Sequence, residues 1–129
     1  MSGKIALDTN VSIKFLNGDK SIESFISKYS EIHMPVIVVG ELIFGALNST
    51  HAEQNLARHK KLIQRAKILE ITEATANIYA KTRLSLKKKG KPIPENDLWI
   101  AAICIEHKIP FLSNDEHFKE IEGLLLKSL

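Results

Sequence analysis

Cysteine and long apolar runs are scarce in this sequence. The 129-residue chain has one cysteine, Cys104, so no disulfide can form within it and nothing points to an oxidising compartment. No apolar run approaches the ~20 residues that span a membrane. Only three apolar residues separate Lys4 from Asp8, too few for the core of a signal peptide. We therefore expect a single cytoplasmic domain, residues 1–129, with no membrane contact.

Motifs for nucleotide binding and for histidine-based metal sites are also missing. No Gly-rich phosphate loop occurs, which excludes the common nucleotide-binding motifs. Trp99 and Cys104 lie in an apolar stretch and are expected to pack in the core or at an interface. The histidines show no metal-ligand spacing, and surface or capping roles are expected for all five: His33, His51, His59, His107 and His117.

The charge that is present is unevenly distributed. The formal net charge is only +3, but residues 51–91 contain eleven Lys and Arg against three acids, which leaves the remainder net acidic. A basic segment of this kind fits a polyanionic partner. The alternative is a solvated helical face with no partner.

Apolar spacing predicts strands that alternate with helices. Strands are expected at about 4–7, 31–35, 67–71, 110–113 and 124–127. Helices are expected at about 10–18, 19–30, 36–47, 50–66, 72–90 and 97–108, with a helical turn at 115–121. Thr50 and Glu53 read as a capping box, and Thr72 as the cap of the next helix. The pattern indicates an α/β fold, with a parallel β-sheet flanked by α-helices on both faces.

Four acidic residues stand in places that a solvated charge does not explain. Asp8 and Asp115 each follow a predicted strand, so they belong at the carboxyl edge of the sheet, where α/β proteins bind ligands. Glu41 lies in a segment that is apolar nearly all round, which predicts burial. A buried carboxylate must be protonated, paired or metal-bound. Asp97 begins a helix whose body, residues 98–105, has no charge.

Each acid also has an ordinary explanation by itself. Asp8, Asp97 and Asp115 could cap helices or face a helix dipole, and Glu41 could lie on a narrow solvent-facing strip. As a set they predict more, because two carboxylates ~4 Å apart repel by about 4 kcal/mol at an effective dielectric of 20. Acids that meet at one edge raise one another's pKa or bind a divalent cation. Oxygen ligands alone suit Mg²⁺ or Mn²⁺.

Four stretches, LDTNVSI, VVGELIFGA, NDLWIAA and FLSNDEHF, carry these acids in order, 33, 56 and 18 residues apart. Together they resemble the PIN-domain family, of the type found in VapC toxin ribonucleases of bacterial and archaeal toxin–antitoxin pairs. The resemblance spans nearly the whole chain. It implies a PIN-like fold in which the four acids bind Mg²⁺ or Mn²⁺ and support endonucleolytic cleavage of RNA. A homodimer and inhibition by a cognate antitoxin are also implied.

The resemblance assigns roles to individual residues. The central metal-binding acids match Asp8, Glu41 and Asp97, of which Asp8 and Asp97 are expected to ligate directly and Glu41 to ligate or to orient water. Asp115 matches the fourth, more variable acid and would complete a second, weaker metal site. Two further positions match polar residues beside the acids: Asn10, and Ser113, which stands where Thr is more usual. Asn114, before the fourth acid, is a less frequent choice.

The basic segment would then contact RNA phosphates without choosing a sequence. Arg83 and Lys87 lie one helical turn apart and can follow one backbone together, and the adjacent candidates are Lys88 and Lys89.

Two other functional classes stay open at this stage. A phospho-acceptor signalling module also gathers acids at a sheet edge, but it usually has paired acids after its first strand, where this chain has Asp8 alone. A catalytically weak RNA-binding or interaction module would keep the fold and cleave little.

Overall fold

Five strands and six α-helices make up the computed structural model, which describes residues 3–129. The strands are β1 (Lys4–Leu7), β2 (Glu31–Pro35), β3 (Lys67–Leu69), β4 (Phe111–Leu112) and β5 (Leu126–Lys127). The helices are α1 (Thr9–Leu16), α2 (Lys20–Ile26), α3 (Val36–Leu47), α4 (Ala52–Arg65), α5 (Glu73–Lys88) and α6 (Glu95–His107). A short 3₁₀ helix, Glu116–Glu120, follows β4. The predicted α/β class is confirmed.

All strand pairs in the sheet are parallel, in the order β3-β2-β1-β4-β5. The chain moves outward from β1 through β2 to β3, then crosses back to place β4 on the other side of β1. The direction of strand addition therefore reverses between β1 and β4. In open α/β sheets the crevice at this reversal, beyond the carboxyl ends of the strands, is where ligands bind.

Helices cover both faces of the sheet. Successive residues of a strand point to opposite faces, and those of β1 divide accordingly between two apolar clusters. Ala6 packs in the larger cluster, with α3, α4, α5 and α6, whereas Ile5 and Leu7 pack against Val11 of α1 and Ile22 of α2. The prediction of helices on both faces is confirmed.

Several element boundaries differ from the sequence prediction. Helix α6 begins at Glu95, because Pro94 needs no hydrogen bond for its nitrogen and leads directly into a helix. Asp97 consequently lies in the first turn and does not open the helix. The expected capping box of Thr50 and Glu53 is wrong, since α4 begins after His51 without a side-chain cap.

The expectation that α3 is buried all round is also wrong. Val38 and Leu42 are fully buried, but Phe44 is 67% exposed and Leu47 is 59% exposed. The helix packs against α4 on one side and borders an open cleft on another. Glu41 is accordingly only partly buried. Among residues 3–129, no helix is long and apolar enough to cross a bilayer.

Two histidines expected at the surface are buried. His33, in β2, places its Nε2 3.0 Å from Glu31. His59, in α4, places its Nδ1 2.8 Å from the Leu42 carbonyl and so joins α4 to α3. Cys104 is buried as expected, and burial raises the pKa of its thiol.

Candidate metal centre

Asp8 is a buried carboxylate at the carboxyl end of β1. It is 6% exposed and caps α1 by accepting a hydrogen bond from the Thr9 N–H at 2.8 Å. The Ser113 hydroxyl, which follows β4, donates to its other oxygen at 2.6 Å. Burial raises the pKa of Asp8; these two hydrogen bonds oppose the rise, and the charges of Asp97 and Glu41 add to it.

Glu41 is held by the segments that carry the two aspartates nearest to it. The hydroxyl of Thr9, next to Asp8, donates to one carboxylate oxygen. The amide of Asn96, next to Asp97, donates to the other at 3.2 Å. Thr9 and Asn96 were not singled out from the sequence, although each directly neighbours a predicted acid. Their contacts fix the orientation of Glu41 across α1, α3 and α6.

Asp97 and Asp115 are joined by a histidine. The Nδ1 atom of His117 lies 2.8 Å from Asp97 and 3.1 Å from Asp115. Burial raises the pKa of Asp97, the hydrogen bond from His117 lowers it, and the charges of Asp115 and Glu41 raise it further. The hydrogen bond to Asp97 raises the pKa of His117. His117 is exposed, but its place among the acids was missed; its position two residues after Asp115 was the available signal.

All four predicted acids line one open cleft of about 720 Å³ at the carboxyl ends of β1 and β4: Asp8, Glu41, Asp97 and Asp115. Asn10 also lines this cleft, but no hydrogen bond among residues 3–129 joins its side chain to an acid. Ser113, by contrast, contacts Asp8 directly. The lining also includes apolar side chains of α3, among them Ile37 and Phe44, which lie one helical turn before and after Glu41.

Two of the four predicted RNA-binding residues lie beside the start of α6. Arg83 and Lys87 line a depression with Glu95, two residues before Asp97. Arg83 forms an ion pair with Glu95 at 3.2 Å. Lys89 forms an ion pair with Glu122, also at 3.2 Å.

Lys87 and its neighbour Lys88 differ from those two residues. No ion pair within the described range, residues 3–129, includes Lys87 or Lys88. Their charges are therefore the ones in this cluster that no acid offsets directly.

The donor chemistry of the cleft fits a divalent cation. In the described part of the chain no basic side chain pairs with Asp8, so its buried charge has no compensating cation of the protein's own. Carboxylate oxygens are the ligands that Mg²⁺ and Mn²⁺ prefer. Farther out, ligand atoms of Asp97, Asp115 and His117 lie within 4.8 Å of one another, close enough to share one ion.

Comparison with known proteins identifies the family of this chain. The PIN domain profile matches residues 5–124. The ribonuclease VapC1 of Haemophilus influenzae (strain R2866) is 35% identical over 123 residues, which cover 92% of each chain. The tRNA(fMet)-specific endonuclease VapC of Shigella flexneri is 28% identical over 124 residues, 94% of each chain.

A solved structure agrees over a similar extent. The crystal structure of VapBC2 from Rickettsia felis, bound to a DNA fragment from their promoter, matches with a TM-score of 0.90 at 27% identity. The match covers 97% of this chain and 98% of that one. The chain therefore belongs to the PIN domain family, and its relatives over nearly its whole length are VapC ribonucleases.

Proposed function

We propose that residues 1–129 act as one PIN-like domain, a metal-dependent endoribonuclease that is the toxin of a toxin–antitoxin pair. The observation that carries this proposal is the meeting of four carboxylates in one cleft, one of them buried and, among residues 3–129, without a cationic partner. The ribonuclease and endonuclease names of the two sequence relatives support the same reaction class.

Mg²⁺ or Mn²⁺ is the proposed cofactor, held chiefly by Asp8 and Asp97, with Glu41 and Asp115 as the remaining acids. A bound divalent cation supplies Lewis-acid assistance to phosphodiester hydrolysis. The protein's contribution is to hold the acids in place. Asp8 is fixed through both oxygens, and a carboxylate oxygen that accepts one hydrogen bond keeps a lone pair for a second partner.

Glu41 is the acid best placed to orient the attacking water. It is less buried than Asp8, and Thr9 and Asn96 hold one oxygen each. A carboxylate held in this way can accept the proton of a water molecule without first reorienting. Ile37 and Phe44, which flank Glu41 on α3, are apolar, so the four acids supply the negative charge of the cleft.

RNA is the proposed substrate, gripped along its backbone by Arg83, Lys87, Lys88 and Lys89. Arg83 and Lys87 border the start of α6, so an RNA strand that leaves the cleft past Asn96 and Asp97 reaches them next. Such contacts supply affinity and no sequence choice.

The proposed protein partners are a cognate antitoxin and a second copy of this chain. The proposed location is the cytoplasm. Support for the antitoxin comes from the resemblance to VapC toxins and from the Rickettsia felis VapBC2 structure. Phe44 and Leu47, exposed on α3 beside the cleft, offer apolar surface that a protein could cover while it blocks the acids.

Cleavage of total cellular RNA and of purified tRNA tests the activity. Wild type is incubated with Mg²⁺, Mn²⁺ or a chelator, beside D8N. We expect discrete cuts that require metal and that fall at least about 100-fold in D8N, because the variant loses a charged ligand and keeps its cap. The tRNA arm is included because of the relative from Shigella flexneri.

D19N is the matched control. Asp19 caps α2 through its side chain, as Asp8 caps α1, but it does not line the cleft. Cleavage should survive in D19N, and equal cutting by wild type and D8N would indicate contamination or a wrong site. Metal-independent RNA binding without cleavage of any substrate would instead favour the weak interaction module.

A further inference from the structure

His117 occupies the outer end of the acid cluster, in the 3₁₀ helix that follows β4. Its Nδ1 lies 2.8 Å from an oxygen of Asp97 and 3.1 Å from an oxygen of Asp115. One nitrogen and two carboxylate oxygens thus converge from two separate segments of the chain. The carboxylates stand 16% and 32% exposed and the histidine side chain 47%, so the group opens to solvent and an ion can enter.

Local structure does not account for the position of this ring. The backbone N–H of His117 already satisfies the cap by donating to Asp115 at 3.0 Å, so the side chain is not needed for capping. The neighbouring charged residues of the same short helix, Glu116 and Lys119, pair with each other. Phe118 supplies its buried contact with the core. The ring of His117 is therefore available to bind a metal ion together with Asp97 and Asp115.

We propose that His117 is a metal ligand which, with Asp97 and Asp115, forms a mixed nitrogen–oxygen site that favours Mn²⁺ over Mg²⁺. This inference rests on the proposed function, since it concerns the outer part of the same metal centre. It departs from the oxygen-only site expected from the four acids.

The metal preference follows from the chemistry of the donor atoms. Mg²⁺ is a hard cation that keeps water and carboxylate oxygens, whereas Mn²⁺ accepts the same oxygens and, as a transition ion, also binds imidazole nitrogen. A nitrogen donor added to two carboxylates therefore strengthens Mn²⁺ binding more than Mg²⁺ binding. Asp8 and Glu41, which also line the cleft, offer oxygen donors only.

Metal affinity is the first test, with untagged wild type, H117A, H117Q and the control H107A. His107 ends α6 and is exposed, and the candidate metal group does not include it. Calorimetric titration should show Mn²⁺ affinity at the weaker site reduced about tenfold or more in H117A and H117Q, with Mg²⁺ affinity changed less than about threefold. H107A should match wild type.

The alternative reading makes an opposite prediction. If the protonated imidazole merely stands in for a cation between Asp97 and Asp115, its removal frees the carboxylates. H117A would then bind Mn²⁺ as tightly as wild type or more tightly, and that result would overturn the inference.

Electron spin-echo spectroscopy of bound Mn²⁺ gives a readout that does not depend on activity. A directly ligated imidazole imposes nitrogen modulation on the manganese signal. We expect this modulation in wild type and H107A, its loss in H117A, and its conversion to the ¹⁵N pattern after labelling with ¹⁵N-histidine.

The two proposals fail in different ways. If wild type binds Mn²⁺ and D8N binds it more weakly, but the bound ion shows no nitrogen modulation, the role of His117 is overturned and the proposed metal centre stands. No Mn²⁺ or Mg²⁺ binding by wild type overturns both.

Discussion

Asp8 is buried because it lies at the end of β1, yet it must be charged to hold a cation. Burial raises its pKa, and Thr9 and Ser113 compensate only through hydrogen bonds. A carboxylate in this position stabilises a bound ion at the expense of the metal-free protein. Stability and metal binding at this residue are therefore expected to oppose each other.

D8N should accordingly raise the stability of the metal-free protein at pH 7. The asparagine amide can accept from Thr9 and donate to Ser113 without a buried charge, and we expect a gain of about 1 kcal/mol, roughly 3–5 °C in Tm. The measurement is thermal unfolding in chelator. Added Mg²⁺ should stabilise wild type and leave D8N unchanged.

The pH dependence of this difference has a definite sign. An acid whose folded pKa is raised destabilises the fold fully above that folded pKa and ceases to do so below its unfolded pKa. The advantage of D8N should thus shrink as pH falls from 7 towards the ordinary aspartate pKa of about 4, because protonation removes the buried charge of wild-type Asp8. An advantage that grows on acidification would contradict the pKa shift.

Helices α5 and α6 are joined by a second polar cluster away from the cleft. Thr75 is fully buried near the start of α5, accepts from the Thr72 N–H at 2.9 Å and donates to Glu106 near the end of α6. Because α6 also carries Asp97, this cluster fixes one end of the element that positions the site.

T75V should lower the free energy of unfolding by about 1.5–3 kcal/mol, since the Thr72 N–H and Glu106 both lose a partner. Urea unfolding measures the loss. T82V is the control, because Thr82 lies on the same helix and no hydrogen bond of its side chain is formed within the described residues. It should cost less than about 0.5 kcal/mol, and equal losses in both variants would assign the effect to valine in α5 generally.

The elements show which features can be read from sequence. Asp8 and Asp115 were predictable, because they follow strands and parallel strands end at one edge. The contacts of Thr9 and Asn96 with Glu41 and of His117 with Asp97 were not, since these partners lie 32, 55 and 20 residues away and the pairings exist only after packing. The exposed side of α3 was missed for the same reason, because apolar composition does not say which neighbours will be present.

On the scale of the whole molecule, the middle of the chain is basic, whereas the cleft that RNA must approach is acidic. Within the part of the chain that the structure describes, Lys87 and Lys88 pair with no acid, whereas Arg83 and Lys89 pair with Glu95 and Glu122. We therefore expect Lys87 and Lys88 to supply most of the phosphate contacts in this group. The double variant K87Q/K88Q tests that expectation.

RNA affinity measured against salt in chelator, where cleavage is absent, should give a logarithmic slope lower by about 1–1.5 in K87Q/K88Q than in wild type. K4Q/K108Q is the control, since Lys4 begins β1 and Lys108 follows the end of α6, away from the cleft, and neither lysine is in an ion pair of residues 3–129. It removes the same charge and should change the slope little. Equal slopes for wild type and K87Q/K88Q would return these lysines to a solvated helical face.

The strand order sets the time at which the cleft is completed during synthesis. Asp8 is made before its partner Ser113, which lies 105 residues later, and β4 must insert beside β1 before the two meet. While Ser113 and Asp115 remain inside the ribosome, the nascent chain holds an unfinished centre. A nuclease built in this order has its complete acid cluster only after β4 has left the ribosome, so the RNA nearest that ribosome is spared until then.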